Sequence, residues 1–297
     1  MTDLARIVLA PAKINLALAV SKKRDDGFHN IETVFQSIAL FDRVEVRLRE
    51  RGIVCDCGEL SGEKNLAYKA ADYFLKQYQI MFSPNNEAGV EITIEKNIPL
   101  QAGLAGGSSD AAAVLRGLNI LFSCPFSYNE LLVLARKCGS DTAFCLKGGT
   151  QWGEGTGSDL YELPPAPEMD IIVVKPSQGV DTAEAYRMFD EIGDYAKLSS
   201  NSWTELLHKK DIKTIGENLF NSLEIPAFQL LPEIRKVKEL LLANGCSGVL
   251  MSGSGSAVFG ILRSTGQGKK ISGLLASAGF YNTWVVKTIN CHRDNCL

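Results

Sequence analysis

A chain of 297 residues, 45% hydrophobic and 22% charged, is long enough to bury two cores, and no apolar run in it is long enough to span a bilayer. A formal net charge of −3 argues against nucleic acid as a partner, because such proteins usually carry a basic excess. Eight scattered cysteines, with no C-x-x-C pair and no basic-then-apolar leader, fit reduced thiols in the cytoplasm better than a disulfide framework or a structural metal site.

From Ala10 to Val20 the sequence alternates as a strand. Ile14, Leu16, Leu18 and Val20 fall on one face, and Lys13, Asn15, Ala17 and Ala19 on the other. A lysine at that position is either surface decoration or a functional cation, and the flanking "PA" and "INL" favour the second. "GFH" then sets Phe28 beside His29, one of only three histidines. "DRVEVRLRE" alternates as a half-exposed strand, "NLAYKAADYFLKQY" from Asn65 has helical periodicity, and "GVEITIEKNIP" is a further strand.

That strand runs into "PLQAGLAGGSSDAAAVL", Pro99 to Leu115. Glycines resist helix in its first half, while Ala111, Val114, Leu115 and Leu118 repeat at helical spacing in its second. Ser108, Ser109 and Asp110 at the junction are good N-cap types. A bare loop entering a helix N-terminus offers unpaired N–H groups and the positive end of a helix dipole, a setting for phosphate. The plain alternative is a glycine-rich connector into an alanine-rich core helix.

Next, "SYNELLVLARKCG" carries a capping box, Ser127 with Glu130, and ends at Gly139. "GSDTAFCLKGGTQWGEGTGS" reads as a turn and a glycine-rich hairpin, and Asp141 within it as a turn or cap aspartate. Prolines cluster in "LPPAPEMD", Leu163 to Asp170, which marks a boundary between residues 1–163 and 164–297. Beyond it come the strand "IIVV" and helices near Thr182–Phe189, Asp211–Leu223 and Glu233–Asn244. "GVLMSGSGSAVFGIL" reads as strand, Gly/Ser turn and strand, and "KKISGLLASAG" and "TWVVKTI" close the chain as helix and strand. Strands and helices interleaved in two runs imply two α/β or α+β halves. G-x-x-x-x-G-K-[S/T], a strand-borne G-x-G-x-x-G and G-x-S-x-G are all missing from the sequence. This is therefore not the common P-loop, and the missing motifs count against a dinucleotide fold and a serine hydrolase.

Three segments in this order, "APAKINLAL", "PLQAGLAGGSSDAA" and "LMSGSGSAVFG", resemble the GHMP kinases, the family of galactokinase, homoserine kinase and mevalonate kinase. "RDDGFHNIETVFQSI", "GEKNLAYKAA" and "ARKCGSDTAFCLKGGTQWGEGTG" resemble one branch, which phosphorylates the 2-hydroxyl of a cytidyl-diphosphate methylerythritol in non-mevalonate isoprenoid synthesis. Phe28 stands where that branch more often has tyrosine.

The resemblance implies a GHMP kinase fold, with an N-terminal half like the second domain of ribosomal protein S5 and a ferredoxin-like C-terminal half. It implies ATP and Mg²⁺, a small-molecule substrate, and no nucleic-acid or membrane partner. Lys13 and Asp141 are the implied catalytic pair, with Asp141 as base. Asn65, Lys96, Pro99, Gly103, Leu104, Ala105, Gly106, Gly107, Ser108 and Ser109 would border ATP, with Ser109 the candidate metal ligand. Asn15, Phe28, His29, Asp141, Thr182, Tyr186, Gly253 and Gly255 would meet the second substrate. In that scheme Phe28 and Tyr186 sandwich the cytosine and His29 reads its edge. Another kinase of the family, an S5-like RNA binder and an inert nucleotide sensor are the alternatives at this point. The sequence says nothing of oligomeric state.

Overall fold

The computed structural model describes residues 5–84 and 88–290, so residues 1–4 of the apolar N-terminal stretch, Cys291 and Cys296 lie outside the described residues. Two long strands, β1 (Ala5–Lys23) and β2 (His29–Arg49), pair antiparallel as the spine of the molecule. Around them β3 (Ile53–Asp56), β4 (Gly89–Glu95), β5 (Thr150–Glu154), β6 (Asp159–Glu162) and β8 (Phe220–Asn221) complete a mixed sheet of order β3-β4-β2-β1-β8, with β5 on β2 and β6 on β5.

The sequence foreshadowed only parts of this spine. β1 is buried on both faces from Ala10 to Val20, and register shifts after Pro11 and Asn15 interrupt its alternation. β2 begins far ahead of "DRVEVRLRE". Its segment Thr33–Ile38 is continuously buried, and a strand covered on both faces carries no period of two.

Helices α1 (Leu66–Met81), α2 (Gly106–Leu121), α3 (Tyr128–Cys138) and α4 (Ser140–Lys147) enclose one core against this sheet, built on Phe35, Phe74, Val46, Ile92, Leu115 and Phe144. Every residue of α2 from Ser109 to Asn119 is buried, which explains its alanines: small side chains let it lie between β1, β2, α1 and α4. The predicted capping box of α3 is present, with the Ser127 hydroxyl accepting from Glu130 N and the Glu130 carboxylate from Ser127 N. Two expectations are corrected. "SDTAFCLK" is the helix α4 and not a turn, because Thr142 to Leu146 are all buried against its neighbours. The helix after the glycine loop starts at Gly106, ahead of Ser108, Ser109 and Asp110, so none of those three is its cap.

The second sheet is antiparallel, in the order β11-β7-β10-β9, formed by β7 (Asp170–Val174), β9 (Gly248–Met251), β10 (Val258–Ile261) and β11 (Thr283–Lys287). Ile171 and Val173 of β7 face a core shared with Ile14, Leu16 and Ile38 of the first sheet. Ile172 and Val174 face another, with Ile234 and Val237 of α9 (Glu233–Ala243) and Ile271 of α10 (Thr265–Ser277). "IIVV" is apolar throughout because both its faces are covered. α5 (Thr182–Ile192) starts where expected and runs past Phe189 to Ile192, and α9 ends one residue short of its expected span. The predicted helix Asp211–Leu223 is instead α7 (Ile212–Glu217) followed by β8, with α6 (Ser200–Lys209) before and α8 (Glu224–Leu230) after. β8 departs from the helix because Phe220 and Asn221 pair in parallel with Ala17 and Leu18 of β1.

Candidate active site

β1 and α4 meet the turn between β9 and β10 across a cleft of two adjoining cavities, about 590 and 550 Å³. On the floor of the larger, Lys13 is 4% exposed. Its Nζ donates to Asn15 Oδ1 at 2.7 Å and stands 3.6 Å from Asp141 Oδ2 and 5.5 Å from the Phe35 ring centroid. Asn15 Nδ2 donates to Thr33 Oγ1 at 2.7 Å, and Thr33 Oγ1 donates to the Ala17 carbonyl at 2.7 Å. This relay holds the buried ammonium in one place. Asp141 lies in the first turn of α4, its side chain 34% exposed toward the cavity.

The glycine loop lines the same cavity through Gly103 and Ala105. Ala105, the residue that precedes α2, is left-handed, with φ 57°, and no side chain caps the helix. The first N–H groups of α2 are therefore left for water or an anion. Gly103 has φ +72°, and a Cβ there would lie 2.0 Å from the Ser252 carbonyl oxygen. Only glycine lets the loop meet the Ser252–Ser256 turn so closely. That turn is also held by the Ser252 hydroxyl on the Gly103 carbonyl, and by Asn221 Nδ2 on the carbonyls of Met251 and Gly253.

The larger cavity brings together Lys13, Asn15, Gly103, Ala105, Ser108, Asp141, Thr182, Tyr186, Gly253 and Gly255 from the sequence-predicted set. Phe28 and His29 line the smaller one, which shares Thr182 and Tyr186. Phe28 is 64% exposed, whereas the Tyr186 ring packs on His29, centroids 5.0 Å apart. Burial, and then the Asp141 carboxylate, push the Tyr186 phenol up to about 12, so it is neutral at pH 7.

Other expected residues are set back from the cavities. Ser109 is fully buried and its hydroxyl donates to the Pro11 carbonyl, whereas Ser108 lines the larger cavity. Asn65 caps α1 through Ala67 N, and its amide donates to the Leu60 carbonyl. Lys96 is paired with Asp42 and, at 2.7 Å, with Asp110. Its ammonium is therefore engaged by protein side chains. Leu104 is a core residue whose carbonyl accepts from Lys13 N, and Pro99, Gly106 and Gly107 line neither cavity.

Sequence reading missed Thr33, Asn221 and Asp190. Thr33 and Asn221 act through partners distant in the chain, so no local pattern marks them. Asp190 Oδ1 is 2.7 Å from His29 Nε2, across 161 positions.

Comparison with known proteins gives consistent relatives. The family model of the GHMP kinases N terminal domain matches residues 65–149, and that of the GHMP kinases C terminal region matches residues 203–279. The chain is 50% identical over 283 residues to the 4-diphosphocytidyl-2-C-methyl-D-erythritol kinase of Desulfitobacterium hafniense, covering 95% of each. It is 39% identical to the enzyme of that name from Moorella thermoacetica, over 94% of this chain and 98% of the relative. A crystal structure of 4-(cytidine 5'-diphospho)-2C-methyl-D-erythritol kinase superposes with a TM-score of 0.81 at 36% identity, covering 95% of this chain and 99% of the other. Homoserine kinase from Cytophaga hutchinsonii, at 21% identity and a TM-score of 0.76 over 98% and 96% of the two chains, shares the fold.

Proposed function

The chain belongs to the GHMP kinases, and on that premise we propose that it moves the γ-phosphoryl group of ATP to the 2-hydroxyl of 4-diphosphocytidyl-2-C-methyl-D-erythritol, in non-mevalonate isoprenoid synthesis. The observation that carries this reading is the meeting, in one cleft, of the Lys13–Asp141 pair with the uncapped start of α2. Phosphoryl transfer asks for positioning and charge neutralisation more than covalent chemistry, and the cleft offers both.

In this reading the amides at the start of α2, with Gly103, Ala105, Gly106, Gly107 and Ser108, hold the phosphates. Asn65, Lys96, Pro99 and Leu104 shape the nucleotide side from behind. Asp141 accepts the proton of the acceptor hydroxyl, and Lys13 orients that carboxylate and steadies the oxygen as it gains charge. The bond from that oxygen to the γ-phosphorus forms as the bond to the β-phosphate oxygen breaks, and ADP leaves. Asn15 and Thr182 orient the acceptor, Gly253 and Gly255 leave room for it, and Phe28, Tyr186 and His29 receive the cytosine.

Ser108, which lines the larger cavity, carries a hard oxygen donor of the kind that would suit magnesium. Magnesium, when bound, neutralises charge on the transferring group. The division at 163/164 belongs to the same reading and is supported by the change of sheet between β6 and β7. So does a cytoplasmic setting, which the buried thiols of Cys55, Cys57, Cys138, Cys145 and Cys246 suit.

Incubation with ATP, Mg²⁺ and the cytidyl substrate, followed by phosphorus NMR, tests the proposal. ADP and a new phosphomonoester resonance are expected. Unchanged ATP, or faster transfer to homoserine or mevalonate, overturns it.

A further inference from the structure

The smaller cavity contains a contact that the proposed reaction does not require. Lys23 at the end of β1, His29 at the start of β2 and Asp190 on α5 meet at its rim. Asp190 divides its two oxygens: Oδ1 lies 2.7 Å from His29 Nε2, and Oδ2 lies 3.6 Å from Lys23 Nζ. The His29 side chain is only 5% exposed and Tyr186 packs on its ring, so the imidazole cannot turn over without breaking both contacts.

From this geometry we infer that Asp190 is a specificity-determining positioning residue: it fixes the proton of His29 on Nε2 and so presents Nδ1 as a bare acceptor, which selects a base bearing an amine.

An ionised carboxylate only accepts hydrogen bonds, so the nitrogen facing it must carry the proton. In a neutral imidazole the other nitrogen is then a lone pair. No protein group pairs with Nδ1 among the described residues, which leaves it to a ligand. Cytosine carries an exocyclic amine that donates to such an acceptor. Uracil carries a carbonyl oxygen at the same ring position and would set one lone pair against another. A site built around a directed hydrogen bond rejects the analogue that lacks it far more strongly than a merely apolar pocket does. Asp190→Asn removes the constraint, because a carboxamide presents either a donor or an acceptor to Nε2. Both tautomers then become available, and the discrimination relaxes.

This inference rests on the cytidyl reading of the site. The test compares kcat/KM for the cytidyl substrate and its uridyl counterpart in the parent and in Asp190→Asn. The parent is expected to prefer the cytidyl compound by about a hundredfold or more. In Asp190→Asn that ratio should fall at least roughly tenfold, through KM of the cytidyl substrate, with KM for ATP unchanged. Asp190→Glu, which keeps an acceptor-only group, should recover part of the ratio. A residue that merely ties α5 to the β1–β2 turn would lower activity toward both compounds equally. Nitrogen-15 NMR of the parent at pH 8.5 gives a second readout that needs no variant: Nε2 protonated and Nδ1 bare.

A protonated Nδ1 overturns the inference, and so does an unchanged ratio. If Asp190→Asn fails to fold, the parent spectrum decides. Absence of transfer to the cytidyl substrate by the parent overturns the functional reading together with this one. Transfer with an unaltered base preference overturns this one alone.

Discussion

Lys13 is a buried ammonium with three receivers: the Asn15 carbonyl oxygen, the Asp141 carboxylate and the Phe35 ring. Removing the Asp141 charge while keeping its shape tests the proposed proton-accepting role. Asp141→Asn is expected to lower kcat by about 10²–10⁴-fold with little change in KM for ATP. Steady-state kinetics reads this, and near-parental turnover would remove Asp141 as the base. His29→Ala makes the complementary prediction. The cytidyl substrate should lose affinity by roughly tenfold, the worth of one directed hydrogen bond, while ATP loses none. An equal loss for both would contradict a base-reading role for His29.

At the level of elements, the site depends on how α2 begins. Most helices close their first turn with a side chain, whereas this one begins at a left-handed Ala105 with no side-chain cap. The exposed turn is steadied from outside by the Gly103–Ser252 approach. Gly103→Ala adds a Cβ 2.0 Å from a backbone oxygen at φ +72°. We expect at least about 1–3 kcal/mol of lost stability, with a raised KM for ATP because both loops must move. Parental melting and kinetics would show that the approach is not needed. The capping box of α3 is a control remote from the cleft. Ser127→Ala should cost about 1 kcal/mol in thermal or urea unfolding and leave kcat/KM unchanged. A loss of activity without loss of stability would contradict that separation.

At the scale of the whole molecule, the cluster beneath the glycine loop predicts a link between stability and pH. Asp42 receives Lys96 and the backbone N–H groups of Asn97 and Ile98, and Lys96 also bonds Asp110 on α2. This cluster ties β2, the end of β4 and α2 together. Burial pushes the Asp110 carboxyl up to about 7 against the pull of Lys96, and the Asp42 charge adds to the rise. Between about pH 4 and 7 the folded chain thus holds a proton that the unfolded chain has released. Stability is therefore expected to fall as pH rises through that window and to level off above it. Asp110→Asn, which cannot ionise, should flatten this slope when urea unfolding is compared at pH 5 and pH 8. A parental slope in the variant would assign the pH dependence to other groups.

The sequence by itself determined what neighbouring residues decide together. The glycine loop entering an alanine-rich helix, the placement of Lys13 and Asn15 on one strand face, the Ser127–Glu130 cap and the "SGSGS" turn were all legible, because each is a local pattern of backbone freedom or side-chain spacing. The strand Thr33–Ile38 was not legible, since burial on both faces erases its period. Neither was α4, whose helix depends on the core around Phe144. Only the tertiary structure decided that Ser108 faces the cavity while Ser109 bonds Pro11, and that the Lys96 ammonium belongs to Asp42 and Asp110. It also set Asp141 beside Lys13 and Asp190 beside His29. Such contacts arise from strand register and helix packing between segments far apart in the chain, and no pattern within either segment carries that information.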